Sequence, residues 1–296
     1  MLVWSSSEND LYPYQVADLD EAERVGCSDT FQMVAQIDHG PCAQRLELKP
    51  DPLPGLRSPV KAELPATSMS CPRALADFIQ WGMRNYPAEH YWLVVSDHGE
   101  GWKGACQDDG QDGWMTLPQL EEGLRLAREA TGRKLDLLSF DACYMGSLEV
   151  AHQLRNEAGL MVGSEEAIGY FGLPYDRVLA DMDRTPRELA ARLVSFATES
   201  YEAPGVPDMP TTAAIDLSKV EAVTRAVRRM GEAVRRSPLD LSGVSRDTQT
   251  FWQFKDVHDL AHQIERRADS DPALREACQE VKQAVHEAVF AEQHAP

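Results

Sequence analysis

The sequence predicts an α/β/α sandwich built on a mostly parallel sheet, and three observations carry that prediction. Apolar runs alternate with amphipathic segments of helical period along most of the 296 residues. Within the runs the apolar residues are consecutive rather than alternate, as in "YWLVVSD" (Tyr91–Asp97) and "LDLLSFD" (Leu135–Asp141). Strands covered by helices on both faces require this pattern. Both of these runs also stop at an aspartate, with His98 or Cys143 one or two residues beyond.

Taken in order, strands are predicted over Met1–Trp4, Thr30–Asp38, Tyr91–Asp97, Leu135–Asp141, Gly159–Gly163 and Thr211–Leu217. Helical periods fill the intervals at Tyr12–Val25, Pro72–Asn85, Leu117–Thr131, Gly146–Glu157, Pro186–Tyr201 and Ser218–Arg236. Ser70 is the expected N-cap of the second helix, with Pro72 in its first turn. The proline-rich segment Leu46–Leu64 reads as a short hairpin. Gly99–Thr116 reads as a long polar loop, and loops of that length are often functional. Two more helical stretches, Phe251–Arg267 and Pro272–Gln293, follow. Val257, Leu260, Ala261 and Ile264 recur at three-and-four spacing and mark a face packed on the main body. The expected organisation is a catalytic core over 1–236, a linker over 237–250 and a packed C-terminal helical extension over 251–296.

With 43% hydrophobic and 26% charged residues, the chain has ample material for a soluble core. A formal net charge of −19 argues against nucleic acid or an anionic membrane as partner. No run approaches the ~18 apolar residues of a spanning helix. The opening "MLVWSSSEND" has no basic n-region and does not read as a signal peptide. The six cysteines show no C-x-x-C spacing, which fits free thiols better than a disulfide framework or zinc. A cytoplasmic location is the expectation that follows.

Chemistry in an open parallel sheet gathers beyond the carboxyl ends of the strands. His98 and Cys143 follow strands joined by one helical crossover, and such strands are usually neighbours. An imidazole and a thiol would then lie side by side. A cysteine attacks as its thiolate, and a nearby histidine can take its proton or protonate a departing amine. Taken singly, a buried cysteine or a histidine is an ordinary core or hydrogen-bonded residue; the pairing at matched strand ends points to a site.

The segments "YWLVVSDHGEGWKG", "LDLLSFDACYMGSLEV" and "GLMVGSEEAIGYFGLPYDRVL", in this order, resemble the clostripain family of cysteine peptidases, whose fold is caspase-like. "ENDLYPYQVADLDEAERVG", "TTAAIDLSKV" and "FKDVHDLAHQI" are similar to its flanking segments, so the likeness covers nearly the whole chain. The resemblance implies that Cys143 is the nucleophile and His98 the general acid–base, with the N–H groups of Gly99 and Cys143 as oxyanion hole. The motif "DHG" occurs twice, at Asp38–Gly40 and Asp97–Gly99. His98 is chosen because it heads "HGEGW" beside the cysteine strand; His39 is then a loop residue, and Asp38 closes its strand without a catalytic role.

A carboxylate two residues before a thiol disfavours the thiolate, so Asp141 is a poor activator. It suits a substrate cation, and the resemblance implies the same, namely cleavage after Arg or Lys. Capping of the following helix is the alternative reading of Asp141. Ser164 and Glu165, with Glu166, are expected at the edge of the pocket. Phe171 stands where relatives often carry an acid near the G-x-P-Y turn, and this leaves Arg against Lys open.

The implied partners are peptides with Arg or Lys at P1 and an upstream activating protease. Some relatives mature by cleavage between the His and Cys strands, yet Ala105–Glu122 contains no Lys or Arg. Arg57, Lys61, Arg236 and Arg246 are the candidate sites instead. No catalytic metal is expected. Calcium supports some relatives, and Asp108, Asp109 and Asp112 offer it oxygen ligands, although loop aspartates are more often only solvated. The rival class is a catalytically silent caspase-like binding module. An α/β-hydrolase esterase is excluded, because D-A-C-Y-M-G is not the G-x-C-x-G of a nucleophile elbow.

Overall fold

The computed structural model describes all residues except 40, 41, 66, 112, 181, 202–210, 269–270 and 295–296. Its strands are β1 (Leu2–Ser5), β2 (Val34–His39), β3 (Cys42–Glu47), β4 (Val60–Pro65), β5 (Trp92–Ser96), β6 (Gly104–Asp108), β7 (Gly113–Thr116), β8 (Leu135–Asp141), β9 (Ala158–Ser164), β10 (Thr211–Asp216), β11 (Thr250–Phe251), β12 (Phe254–Lys255) and β13 (Val289–His294). Its helices are α1 (Tyr12–Val25), α2 (Pro72–Asn85), α3 (Leu117–Thr131), α4 (Leu148–Leu154), α5 (Tyr175–Leu179), α6 (Pro186–Tyr201), α7 (Val220–Arg236), α8 (Leu241–Asp247), α9 (Val257–Glu265) and α10 (Pro272–Ala288).

Nine strands form one sheet in the order β13-β10-β9-β8-β5-β1-β2-β3-β4. From β9 to β2 the pairings are parallel, while β3, β4, β10 and β13 are added antiparallel at the two edges. The consecutive apolar residues have a direct cause. Along β5, Leu93 and Val95 face one core, with Leu75, Phe78 and Ile79 of α2 and Leu120 and Leu124 of α3. Trp92 and Val94 face the opposite core, with Leu19 of α1 and Leu189 and Leu193 of α6. Leu93 is 0% exposed, and truncating such a residue to alanine costs ~2–5 kcal/mol. A third core joins α7, α9 and α10 around Met230, Ile264 and Val281. Among the described residues no helix is long and apolar enough to cross a membrane.

The structure departs from the expected elements at several places, among them the unforeseen short helix α5. The helix α2 is capped at Cys71, with no side-chain bond; the Ser70 hydroxyl pairs with Ser68 instead. The polar stretch after His98 is not a loop but carries the β6–β7 hairpin, because Ala105 and Met115 bury against the sheet. The linker region contains α8, started by the Asp240 side chain on Ser242 N. Phe251–Arg267 begins with the β11–β12 hairpin, and only α9 is helical. The last stretch leaves its helix after Ala288 and pairs with β10 as β13, so the C-terminal region completes the sheet as well as packing on it. The hairpin expected from the proline-rich segment is the antiparallel pair β3–β4.

Candidate active site

Register places the two expected reactive residues together. In the β5–β8 ladder Ser96 pairs with Asp141, and Asp97 N donates to Asp141 O at 3.2 Å. His98 and Cys143 each lie two residues beyond that rung. Both line a cavity of about 270 Å³ at the carboxyl ends of the strands, shared with Asp18, Asp141, Tyr14 and Tyr170.

Cys143 is half-buried. Its sulfur lies 3.7 Å from Ile168 O and accepts from Ile168 N at 3.4 Å, so the segment after β9 brackets the thiol. Gly99 packs on the Cys143 peptide. A Cβ at Gly99 would fall 2.3 Å from Cys143 O and 3.1 Å from Cys143 N, so only glycine fits. The imidazole Nε2 of His98 lies 2.7 Å from Asp10 Oδ1. Asp10 sits in the segment between β1 and α1 and has no role in the sequence reading, although the "NDL" of the resemblance contains it. His39 is elsewhere: it ends β2, pairs with Cys42, and stacks on Tyr12 at 3.9 Å. It is therefore a strand residue rather than a loop residue.

Asp141 is 5% exposed. Its Oδ2 accepts from Leu173 N and from the Tyr175 hydroxyl, both at 3.1 Å. Helix capping is ruled out, since α4 starts with the Ser147 side chain on Val150 N. Asp18, on α1, is the partner that sequence alone did not reveal. The Oδ2 atoms of Asp141 and Asp18 lie 2.8 and 2.9 Å from the position a Cβ would take on Gly172. Burial, opposed by the bonds from Leu173 and Tyr175, pushes the Asp141 carboxyl up to about 6. Burial and then the Asp141 charge raise Asp18 further, to about 9. Two carboxyls crowded in this way bind a proton, or a substrate cation, in preference to sharing two bare charges. Tyr14 and Tyr170 stack at 5.0 Å beside them, and aromatic faces also attract cations.

The remaining expectations shift. Ser164 is buried and accepts from Glu166 N and Thr211 N, both at 3.2 Å, so it ties β9 to β10 behind the pocket. Glu165 does not join the Cys143 cavity. It lines a separate one of about 440 Å³ with Asp256, His258 and Glu292, where burial and then those two acids raise its carboxyl to about 8. Its side chain turns to the α9–β13 side because its own N–H pairs with Thr211 O at 2.9 Å. The acid run after His98 does not act as a unit either. Asp108 is 1% exposed and turned inward, Asp109 is exposed and accepts from Gln107 Nε2 at 2.7 Å, and Asp112 lies outside the described residues. The β11–β12 hairpin, also missed, reaches the site from the C-terminal region. Trp252 and Phe254 pack on Tyr144, at 5.2 and 5.8 Å between ring centres.

A thiol and an imidazole at adjacent parallel strand tips, on a sheet flanked by two helical layers, define a caspase-like cysteine peptidase scaffold. The Peptidase C11 profile, described as the Clostripain family, matches residues 3–287, and the chain belongs to that family. Clostripain of Hathewaya histolytica is 24% identical over 293 residues, 78% of this chain and 54% of its own length. The chain thus spans about half the length of that relative. A secreted C11 cysteine protease from Bacteroides thetaiotaomicron, solved with an irreversible peptide inhibitor, is similar with a TM-score of 0.80. That match has 22% identity and covers 99% of this chain and 84% of that one. An inactive zymogen C11 protease from Parabacteroides distasonis matches with a TM-score of 0.77 and 19% identity, over 100% of this chain and 83% of that one.

The secreted relative overturns the expected cytoplasmic location. The inference from cysteines fails for a physical reason. None of the six cysteines forms a disulfide, but two, Cys106 and Cys278, are buried core residues, and a thiol packed as a small apolar side chain says nothing about the compartment.

Proposed function

We propose that the chain is an endopeptidase that cuts after Arg or Lys by covalent cysteine catalysis. The observation that carries the reading is the pairing of Asp18 and Asp141 in the cavity that also holds Cys143 and His98. The substrate side chain passes the stacked pair Tyr14 and Tyr170 and meets the two carboxyls. Cys143 gives its proton to His98, and its sulfur bonds the scissile carbonyl carbon. The oxyanion faces the N–H groups of Gly99 and Cys143, an arrangement worth a few kcal/mol per donor in other proteases. As the C–N bond breaks, His98 returns the proton to the departing amine, leaving a thioester. Water then attacks, His98 takes its proton, and the acid is released as the thiol reforms. Asp10 holds the imidazole through Nε2, which leaves Nδ1 for these transfers.

Maturation by a proteolytic cut is part of the same proposal. Arg236 ends α7 and Arg246 lies in α8, and Lys61 is in β4. Arg57 lies in an exposed irregular segment between β3 and β4, the conformation a protease needs in order to thread a chain through its site. Mass spectrometry of the matured protein should find a new terminus beside Arg57.

The test compares arginyl, lysyl and aspartyl fluorogenic peptides on wild type and Cys143→Ala. Hydrolysis of the basic peptides that vanishes in Cys143→Ala supports the reading. The silent-module alternative gains from the Ile168 bracket around the sulfur; it wins if wild type, nicked at Arg57, is as inert as the variant.

A further inference from the structure

The cavity of about 440 Å³ that holds Glu165 lies between the β10–β13 rim of the sheet and helices α4, α7 and α10. Its walls are apolar: Ala151, Ile215 and Val223 are buried and Val285 is half-buried. Three chain segments bring carboxylates to it, Glu165 after β9, Asp256 before α9 and Glu292 in β13. The three act on one another, because burial and then the charges of Asp256 and Glu292 hold the Glu165 carboxyl up at about 8. Among the described residues no Lys or Arg lines this cavity. Its two imidazoles, His258 and His286, are exposed, where water solvates them. A negative wall in an apolar cavity selects its occupant: it repels anions and favours a cation over a neutral molecule of the same shape.

We propose that this cavity binds a small organic cation, an ammonium group carried on an apolar body. The ammonium meets Glu165, Asp256 and Glu292, and the body lies against Ile215, Val223 and Val285. Pockets for small molecules run from ~300 to 1,000 Å³, so this one takes a ligand of modest size. Apolar walls exclude a bare metal ion, which would keep its hydration shell and gain nothing from them. The crowded acids are otherwise relieved only by taking up a proton, and at pH 7 that proton sits on Glu165. An ammonium beside Glu165 favours its ionised form. Binding therefore exchanges the proton for the ligand.

Position gives the site its consequence. Glu165 opens the segment that reaches the thiol: Glu166 O accepts from Tyr144 N at 3.2 Å, and Ile168 N donates to Cys143 Sγ at 3.4 Å. On the cysteine side, Gly146 lines the cavity itself and its N–H donates to Ser164 O at 2.7 Å. Cavity and nucleophile are thus two ends of one short stretch tied by backbone hydrogen bonds. A ligand that holds Glu165 steadies the Ile168 N–H on the sulfur, and a donor to sulfur favours the thiolate. The consequence for turnover rests on the peptidase reading above; binding of the amine and the ionisation of the thiol do not.

The experiment titrates 2-phenylethylamine by calorimetry into the full chain as Cys143→Ala, so that self-cleavage cannot intrude. Runs at pH 7 in two buffers of different ionisation enthalpy count the protons released, and 2-phenylethanol serves as the neutral counterpart. One amine per chain with release of a proton is expected, and the alcohol should bind more weakly. Glu165→Gln on this background should weaken the amine about tenfold or more, the usual cost of a lost charge-assisted hydrogen bond, and abolish the proton release. Val285→Trp, which fills the apolar part, should also remove binding, and each variant carries the test should the other fail to fold. Asp141→Asn should leave the affinity unchanged. Absence of amine binding, or binding that survives in a folded Glu165→Gln or Val285→Trp, overturns the site. Loss in Asp141→Asn alone assigns the amine to the Cys143 cavity and overturns it as well. In wild type, saturating amine should move the pH profile of Cys143 alkylation by iodoacetamide to lower pH, and should not do so in Glu165→Gln. A profile that stays in place with amine bound overturns the coupling to the thiol while the site stands.

Discussion

His98 and Asp10 are 88 residues apart in sequence, yet Nε2 and Oδ1 approach to 2.7 Å across the gap between the tip of β5 and the segment that follows β1. The Asp10 side chain is 71% exposed, so water competes for it and its contribution is one of orientation more than charge. Asp10→Asn should lower kcat roughly tenfold, at the small end of what a general acid–base contributes, with KM nearly unchanged. Asp10→Glu should recover part of the loss. A KM effect equal to the kcat effect would remove Asp10 from this role.

His98→Ala should abolish turnover, whereas His39→Ala should leave it nearly intact. Both histidines stand between Asp and Gly, but His39 stacks on Tyr12 and does not line the Cys143 cavity. Steady-state rates of the two variants decide the matter; equal losses would contradict the strand placement.

Asp141→Asn should cost arginyl substrates a hundredfold or more in kcat/KM, because breaking a buried charge pair costs ~3–5 kcal/mol. Alkylation of Cys143 by iodoacetamide should be unimpaired or faster in that variant, since a nearby negative charge has gone. Simultaneous collapse of alkylation and hydrolysis would make Asp141 part of the catalytic geometry instead.

The raised carboxyls give a pH signature with two opposite signs. Ionisation of Asp141 near about 6 places charge in the pocket, so KM for an arginyl peptide should fall between pH 5 and 7. Stability runs the other way. Asp18, raised to about 9, keeps a proton in the folded protein that the unfolded chain releases near pH 4. The folded state therefore loses ground as pH climbs from about 4 through the folded values. Asp18→Asn should raise Tm at pH 8 and change it little at pH 4, by ~2–4 °C for each kcal/mol relieved. A melt series across that range checks the sign.

Gly99→Ala should be close to inactive, because its Cβ would press on the Cys143 carbonyl. The loss expected is on the order of a hundredfold or more, as for one displaced oxyanion donor. Circular dichroism should show the variant folded.

Much of this was legible in the sequence because it depended on local signals. Consecutive apolar residues flagged the two-sided burial of β5 and β8, and the tip residues followed from strand ends alone. Asp18 and Asp10 were not legible as site residues. Each is one of many acids in a chain of net charge −19, and only packing of α1 and its leading segment against the strand tips distinguishes them. Glu165 was misplaced because adjacency in sequence to Ser164 says nothing about which side of β9 a side chain leaves on. The β11–β12 hairpin was hidden by the helical period of α9 that follows it, and β13 by the long amphipathic run of α10.

The position of β13 bears on how such a protein is made. It pairs with β10 at one rim of the sheet, while at the other rim β4 carries Lys61, Glu63 and Pro65, residues that discourage further strand addition. A ribosome releases β10 long before Val289–His294, and in that interval the β10 rim has no such guard. An emerging chain is then exposed to edge-to-edge association with its neighbours. Helices α7 and α10, whose third core can assemble only after both are synthesised, bring the late strand home. The β10 rim is thus covered only once β13 has been made, so chaperone demand during synthesis should concentrate on nascent chains that end between β10 and β13.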